Sequence, residues 1–163
     1  MTPAAERPRR SIDEQATLEA ALRVMFESTI TFNQTLGLRV LSFDPLESKM
    51  RFDMKPAFVG HYHYGRLHGG VISAALDATA GFALMCAIGE RFNHETSEQI
   101  LARFIRIGTI DLRIDYLRPG LGEHFTTAAK VTRLGGRVGS VQMTLHNDLS
   151  LLIATGAGAY VIS

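Results

Sequence analysis

The sequence of 163 residues has no tryptophan, only one cysteine and a net charge of only +1 at pH 7. A single cysteine, Cys86, excludes an internal disulfide and suits a reducing compartment. So small a net charge leaves no electrostatic footprint for nucleic acid. We see no apolar run that approaches the length of a membrane span, and the N-terminus lacks the apolar core of a secretory signal. We therefore expect a cytoplasmic protein that binds neither nucleic acid nor membrane.

Hydrophobic residues make up 46% of the chain, which is enough for one domain with a substantial core. Residues 1–10 contain two prolines and three arginines among small and polar residues, and are predicted to form a mobile leader. Residues 11–163 show neither an internal repeat nor a second domain boundary. They are predicted to form a single domain.

The most unusual stretch starts at His68-Gly69-Gly70 and continues as an almost uninterrupted run of small or apolar residues to Gly89. Asp77 is the only acidic residue in it. A helix that is apolar on all sides must be buried on all sides. A carboxylate in such a helix carries a desolvation cost, which has to be offset by partners or by function.

The spacing within this stretch allows a functional interpretation. If the helix starts near Gly69 or Gly70, then Gly70, Ser73, Ala74 and Asp77 share one face. The unpaired first-turn amides would form a donor site for a developing oxyanion, with a carboxylate roughly two turns away. In the alternative, the glycines form only a tight turn and Asp77 pairs with an arginine across a subunit contact. The residues alone favour neither interpretation.

Helical and loop segments surround this stretch. Ser11 and Glu14 have the pattern of a capping box, and the apolar spacing after them predicts a helix over 12–31 that packs on the sheet. Residues 57–67 are predicted to be a loop that leads to the central helix. Residues 90–106 are predicted to be a loop with one short helix, which forms either a flap over a tunnel or a plain surface connector.

Alternation of apolar and polar residues predicts six strands, with a hairpin turn at Gly135-Gly136. The predicted strands span residues 36–43, 49–55, 110–116, 125–134, 141–145 and 151–161. The order is thus helix, two strands, buried helix and four strands. An antiparallel sheet of about six strands wrapped around one apolar helix satisfies the helix's need for burial and the one-sided pattern of the strands. The predicted fold class is α+β, with an extra N-terminal helix.

Two motifs carry a resemblance to a known family. His68-Gly69-Gly70, with Asp77 nine residues after the histidine, resembles the signature of hotdog-fold acyl-CoA thioesterases of the PaaI-like type. The stretch GTIDLRIDYLRPG at 108–120 resembles the strand after the helix in YigI-like members of that group. The resemblance covers roughly residues 30–163. It implies hydrolysis of medium- to long-chain acyl-CoA thioesters and the hotdog fold. The order of predicted elements points independently to the same fold.

The resemblance also implies roles for individual residues. The Gly69 amide would polarise the thioester carbonyl, and Asp77 of the neighbouring subunit would act as general base on water or as nucleophile. His68 and Gly70 belong to the same turn, and for His68 we favour the structural role of capping it. A site completed across subunits implies a homodimer or a homotetramer. Coenzyme A is part of the substrate, so no cofactor is expected.

The nucleotide end of coenzyme A needs cations for its phosphates. Arg133, Gly135, Gly136 and Arg137 resemble the arginine and glycine turn that often meets this end in hotdog thioesterases. The alternative is a solvated hairpin tip. Arg118 is a weaker candidate for the same task.

The loop before the helix departs from the family pattern. YigI-like proteins usually have an asparagine where His61 stands, and PaaI-like enzymes use an asparagine in this loop to orient substrate or water. His61 or Tyr62 would have to take over that role here. His61, His63 and His68 also suggest a zinc site, but no nearby Cys or Glu completes a ligand set, so no metal is expected.

Two other functions compete with hydrolysis. A non-catalytic acyl-CoA binding protein is the first, although an acyl-CoA sensor would normally carry a DNA-binding segment, which we do not find. A hotdog dehydratase or hydratase is the second. One version of its acid/base pair has a histidine five residues after the aspartate, and the residue at that distance from Asp77 is Phe82.

Overall fold

A computed structural model describes residues 8–163. The helices are α1 (Ile12–Val24), α2 (Thr31–Leu36), α3 (Gly69–Arg91) and α4 (Ser97–Arg103). The strands are β1 (Arg39–Ser42), β2 (Ser48–Asp53), β3 (Val59–His61), β4 (Arg66–Leu67), β5 (Gly108–Tyr116), β6 (His124–Leu134), β7 (Val138–Asn147) and β8 (Leu152–Val161). The first seven residues of the predicted leader lie outside the described residues.

Six of the strands form one antiparallel sheet in the order β1-β2-β6-β7-β8-β5, and β3 pairs only with β4. The predicted α+β class, with a six-stranded sheet and a long central helix, is confirmed. The turn at Gly135-Gly136 joins β6 to β7 as predicted. Because the sheet is open, β1 and β5 are its two edges.

Helix α3 lies on one face of this sheet and supplies much of the core. Its buried side includes Leu76, Phe82 and Met85, none of which is exposed to solvent. The opposite side, which includes Ala74 and Asp77, is only half-buried. The expectation of burial on all sides therefore does not hold within one chain, because a single sheet covers only one side of a helix.

Helix α3 is also long enough and apolar enough to cross a membrane, with a mean hydropathy of 1.9 over 18 residues. The expectation that no apolar run approaches this length is therefore wrong. In the fold, 61% of that window is buried. A core helix of a folded domain shows such burial. Length and composition can be the same in a core helix and in a helix that crosses a membrane.

The N-terminal helix is shorter than the predicted 12–31. It ends at Val24, and a π-helical turn over Met25–Thr29 and an extended Ile30 separate it from α2. The side chain of Asn33 donates to the Phe26 carbonyl at 3.0 Å, which satisfies a backbone acceptor at the interruption. This side-chain contact accompanies the interruption, and helical periodicity does not reveal it.

One of the two hydrogen bonds of the capping box predicted for α1 is present. Ser11 is the N-cap and its side chain accepts a hydrogen bond from the Glu14 amide at 3.1 Å. The Glu14 carboxylate, however, accepts from the Ser97 amide instead of reaching back to Ser11. A complete capping box occurs at α4, between Thr96 and Gln99.

The start of β1 and the exposure of two β5 side chains differ from the alternation pattern. Gly37, with a φ of 69°, ends α2 in the left-handed region, so Leu36 belongs to a helix and not to β1. In β5, Ile110 and Tyr116 are 59% and 55% exposed despite their apolar positions in the pattern. A bulge at Ile110 and the edge position of β5 explain this exposure.

Two arginines that the sequence assigns to the leader contact the end of α3. Arg9 forms an ion pair with Glu90 at 2.6 Å. The Arg10 guanidinium donates to the carbonyls of Gly89 and Phe92. A cation at this position satisfies terminal carbonyls and complements the negative end of the helix dipole.

The aromatic core provides a test of this packing. Phe82 is fully buried and meets Phe26 and Phe43 edge-on at centroid distances of 5.2 and 5.4 Å. We expect Phe82→Ala to lower the free energy of unfolding by about 3–5 kcal/mol, because it leaves a cavity. The matched control Leu46→Ala, at an 80% exposed position, should change it by less than about 0.5 kcal/mol. Urea denaturation measures both, and similar losses in the two variants would contradict the described core.

Candidate active site

Helix α3 begins at Gly69, and His68 caps it. The Nδ1 atom of His68 accepts from the Gly70 amide at 2.8 Å, and its carbonyl accepts from the Val71 and Ile72 amides. Among residues 8–163, no partner is found for the Gly69 amide. This free donor lies at the positive end of the helix dipole.

Two rings hold the backbone at this point. A Cβ at Gly70 would lie 2.9 Å from Nδ1 of His68, and one at Gly69 would lie 3.3 Å from the Tyr116 ring. The Tyr116 hydroxyl also donates to the Gly69 carbonyl at 3.1 Å. The two glycines therefore allow the rings to approach closely, and the two hydrogen bonds hold the peptide between Gly69 and Gly70 in place.

Asp77 lies two turns further along α3, with its side chain half-buried. The hydroxyls of Thr109 and Tyr160 both donate to its Oδ1 atom, each at 2.9 Å. In the described part of the chain no hydrogen bond reaches Oδ2. The carboxylate is thus oriented through one oxygen, while the other is available to a ligand. No arginine pairs with Asp77 within residues 8–163 of this chain.

A cavity of about 310 Å³ opens beside this carboxylate. Its polar groups include Asp77, Thr109 and the Tyr160 hydroxyl, and the rest of its wall is mostly apolar. The wall comes from α3, from the segment between α1 and α2 together with α2, from the segment after α4, and from β5 and β8. The lining residues are Phe26, Ile30, Phe32, Asn33, Ala74, Asp77, Ala78, Gly81, Phe104, Ile107, Gly108, Thr109 and Tyr160.

Gly69, whose amide is free, lines a different cavity, of about 330 Å³. Tyr116, Arg66 and Arg118 are among the residues that line it, and none of its lining residues also lines the Asp77 cavity. Eight residues of helix separate Gly69 from Asp77, which is about 12 Å along the axis. One chain therefore presents the free Gly69 amide and the Asp77 carboxylate at two separate places.

His61 lines neither cavity. It is half-buried in β3, its ring lies 4.8 Å from that of Tyr64, and its Nδ1 atom is buried without a hydrogen bond. Tyr62 is 83% exposed. Within residues 8–163, no group of three or more His, Cys, Asp or Glu side chains is arranged to hold a metal ion.

The predicted phosphate ligands fall in two places. Arg118 borders the Gly69 cavity, and its Nη1 atom donates to the Leu152 carbonyl at 2.9 Å. Arg133 and Arg137 are exposed and flank the β6–β7 turn. The Arg91 side chain, at the C-terminal end of α3, donates to the carbonyls of Leu134 and Gly135 in this turn. Asp77 and Arg91 are fourteen residues apart in the helix, or about 21 Å.

The single cysteine is remote from this chemistry. Cys86 is buried on α3, and burial raises the pKa of its thiol to about 12. Only a thiolate is an effective nucleophile, so Cys86 does not serve as one near neutral pH. Asp77 is the only ionisable acid on the wall of its cavity apart from the Tyr160 hydroxyl.

Comparison with known proteins identifies the family. The family model described as the thioesterase superfamily matches residues 64–154, more than half of the chain. The chain belongs to the thioesterase superfamily. The medium/long-chain acyl-CoA thioesterases YigI of Escherichia coli K12 and Salmonella typhimurium are each 38% identical over 151 residues, which are 90% of this chain and 96% of theirs.

A solved structure agrees with this membership. A Shewanella oneidensis protein related to the thioesterase superfamily has a TM-score of 0.86 and 33% identity, with coverage of 94% of this chain and 100% of that one. The resemblance to YigI-like hotdog proteins that the sequence motifs carry is thereby confirmed. Superfamily membership also agrees with the six-stranded sheet and its long helix.

Sequence reasoning missed three residues on the Asp77 cavity: Asn33, Thr109 and Tyr160. Thr109 and Tyr160 lie on β5 and β8 and are directly paired across the two strands. The sequence predicted β5 and β8 but not that they pair with each other. The alternation pattern therefore gave no sign that both hydroxyls meet the same carboxylate. Asn33 lies just beyond the predicted helix over 12–31, in a short helix that the sequence pattern did not predict.

The Tyr160 contact leads to a prediction about stability and pH. Burial, together with the neighbouring Asp77 carboxylate, holds the pKa of the Tyr160 hydroxyl well above its usual value. The folded protein therefore keeps this proton above about pH 10, where the unfolded chain loses it. The resulting stabilisation is complete below about pH 10 and is lost as the pH rises toward the raised pKa.

We expect Tyr160→Phe to lower the free energy of unfolding by about 1.5 kcal/mol at about pH 8, because a hydrogen bond to a charged acceptor is lost. Between about pH 8 and pH 10.5 the difference from the wild type should shrink, since only the wild type loses this stabilisation. The control Thr109→Val removes the other hydrogen bond but no titrating group, so its difference should stay constant. Urea unfolding at both pH values tests this, and a constant difference for Tyr160→Phe would contradict it.

Proposed function

We propose that this protein hydrolyses acyl-CoA thioesters of medium to long chain to the free acid and coenzyme A. The observation that carries the proposal is the Asp77 carboxylate, oriented by two hydroxyls on the wall of a largely apolar cavity. Membership of the thioesterase superfamily and the 38% identity to YigI acyl-CoA thioesterases support the substrate class.

Asp77 acts on the thioester in one of two ways. As a general base, its Oδ2 atom takes a proton from water while the water oxygen attacks the carbonyl carbon. As a nucleophile, it forms an anhydride with the acyl group that water then hydrolyses. In both routes the carbon–sulfur bond breaks, and the departing thiolate of coenzyme A takes up a proton. The Gly69 amide stabilises the oxyanion, because it is a preorganised donor at a helix N-terminus.

The active unit is a homodimer, or a homotetramer built from it. Within a chain, Asp77 and Gly69 line separate cavities, and about 12 Å of helix separates the two residues. One substrate carbonyl therefore reaches both groups only if Asp77 faces the partner subunit's Gly69. The edge strand β5 supports such pairing. Its outer edge is unpaired within the described chain, and Ile110 and Tyr116 are exposed on it, as expected for a strand that pairs with a second copy.

Binding of acyl-CoA without turnover is the second candidate. The supporting observation is His61, which lines neither cavity and stands where the resemblance implies an asparagine. If no other group orients the attacking water, the site would still hold the ester but would not cleave it. A dehydratase or hydratase has less support, because Phe82 is an apolar core residue where one version of that chemistry needs a histidine.

Replacement of the carboxylate tests the proposal. We expect Asp77→Asn to lower kcat for dodecanoyl-CoA by about 10²- to 10⁴-fold, because the amide accepts hydrogen bonds but does not take up a proton. Release of free thiol measures the rate. Asp13→Asn is the matched control, since it removes an exposed carboxylate from α1, which contributes no residue to either cavity, and it should keep the wild-type rate. Equal rates for wild type and Asp77→Asn, at unchanged oligomer size, would refute the assignment. Measurable binding by a wild type that releases no thiol would favour the second candidate.

The phosphate contacts give a further prediction. Arg118 borders the cavity of the Gly69 amide, so we expect Arg118→Ala to raise KM for acyl-CoA by roughly tenfold, through loss of a charge-assisted hydrogen bond. The same change should have no effect on an acyl-pantetheine ester, which lacks the nucleotide. Arg133→Ala and Arg137→Ala test the β6–β7 turn in the same way, and Lys49→Ala is the control. A rise in KM in Arg133→Ala and Arg137→Ala but not in Arg118→Ala would indicate that the nucleotide binds at the β6–β7 turn instead.

A further inference from the structure

We infer that Gly81 is a specificity-determining residue that sets how long an acyl chain the Asp77 cavity accepts. The inference rests on the proposed function. It adds which end of the cavity holds the thioester, where the chain ends, and which position on α3 limits its length.

The cavity has a direction along α3. Ala74, Asp77, Ala78 and Gly81 follow one another at the spacing of a single helix face, and Gly81 is the last α3 residue on the wall. The hydroxyls of Thr109 and Tyr160 meet the wall at Asp77 and not beyond it. A thioester placed at the carboxylate therefore sends its chain toward Gly81, about 6 Å further along the axis.

Packing does not account for a glycine at position 81. A Cβ there would meet only one atom within 4 Å, Cε1 of Phe26 at 4.0 Å. Gly89 in the same helix differs, because a Cβ there would lie 3.3 Å from the Leu18 side chain. Glycine within a helix is less favourable than alanine, so a position without a steric reason for it needs another explanation. Free space in the cavity beside Gly81 provides one.

The far end of the cavity is closed by aromatic rings that are held in place. Phe26 packs edge-on against Phe104 at 5.5 Å and against Phe82 at 5.2 Å. Asn33 holds the Phe26 carbonyl in the π-helical turn. Since these contacts fix the Phe26 ring, a bulkier residue at position 81 cannot be accommodated by moving that ring, and its side chain has to occupy the cavity.

A side chain at position 81 should therefore shorten the preferred acyl chain. Each methylene that no longer enters the cavity costs about fourfold in kcat/KM, from the usual value of burying one CH₂ group. For Gly81→Leu we expect kcat/KM to fall about fiftyfold or more for dodecanoyl-CoA and hexadecanoyl-CoA. Butanoyl-CoA should be cleaved within about twofold of the wild-type rate, because its short chain does not reach Gly81.

Ala20→Leu is the matched control, because it adds the same side chain at an exposed position of α1 that lines neither cavity, so its chain-length profile should stay that of the wild type. Gly81→Ala adds one methyl group to the cavity wall, so it should shift the profile in the same direction as Gly81→Leu but by a smaller factor. Phe104→Ala is the reciprocal variant. It opens the far end of the cavity and should raise the rate for hexadecanoyl-CoA relative to octanoyl-CoA, which tests the inference even if Gly81→Leu fails to fold.

The outcomes separate this inference from the proposed function. A wild type that cleaves none of the esters refutes the function itself. A wild type that cleaves them, with a folded Gly81→Leu variant that loses the same factor for every chain length, overturns the role of Gly81 but leaves hydrolysis intact. An unchanged profile in both Gly81→Leu and Phe104→Ala would also overturn it. Loss that grows with chain length in Gly81→Leu supports it.

Discussion

The burial of one apolar helix against one antiparallel sheet is the constraint on which this structure depends. The sheet removes Leu76, Phe82 and Met85 of α3 from water, and no further layer in the described chain covers the other side completely. That uncovered side carries Asp77. A carboxylate is tolerated there because it is only half-buried and because two hydroxyls bind one of its oxygens. The incomplete cover of α3 within one chain thus leaves space for the cavity beside Asp77.

Much of this arrangement could be predicted from periodicity and from the glycines. The start of α3, the cap by His68 and the six strands follow from local rules, because each depends on residues within a few positions of one another. The face shared by Ser73, Ala74 and Asp77 also follows from helical spacing alone. These features place the carboxylate and the free amide before any tertiary contact is known.

The remaining parts of the site depend on contacts between distant segments. Tyr160 and Thr109 meet Asp77 only because β8 and β5 pair in one particular register. The π-helical turn at Met25–Thr29 brings Phe26 to the cavity, yet its sequence continues a helical pattern without a break. Ile110 and Tyr116 alternate as core residues do, and only the edge position of β5 leaves them exposed. Sequence periodicity predicts which residues are apolar on one face of an element. It does not predict which other element, if any, covers that face.

The position of the single cysteine has a consequence for the life of the enzyme. Each turnover of the proposed reaction liberates a thiol next to the protein, and such a thiol becomes a disulfide whenever the surroundings turn oxidising. Thiol–disulfide exchange requires an accessible thiolate. Cys86 is buried, and burial raises its pKa to about 12, so both requirements for exchange with the thiol product of the proposed reaction are poorly met. The position of Cys86 thereby limits covalent modification of the protein by that product.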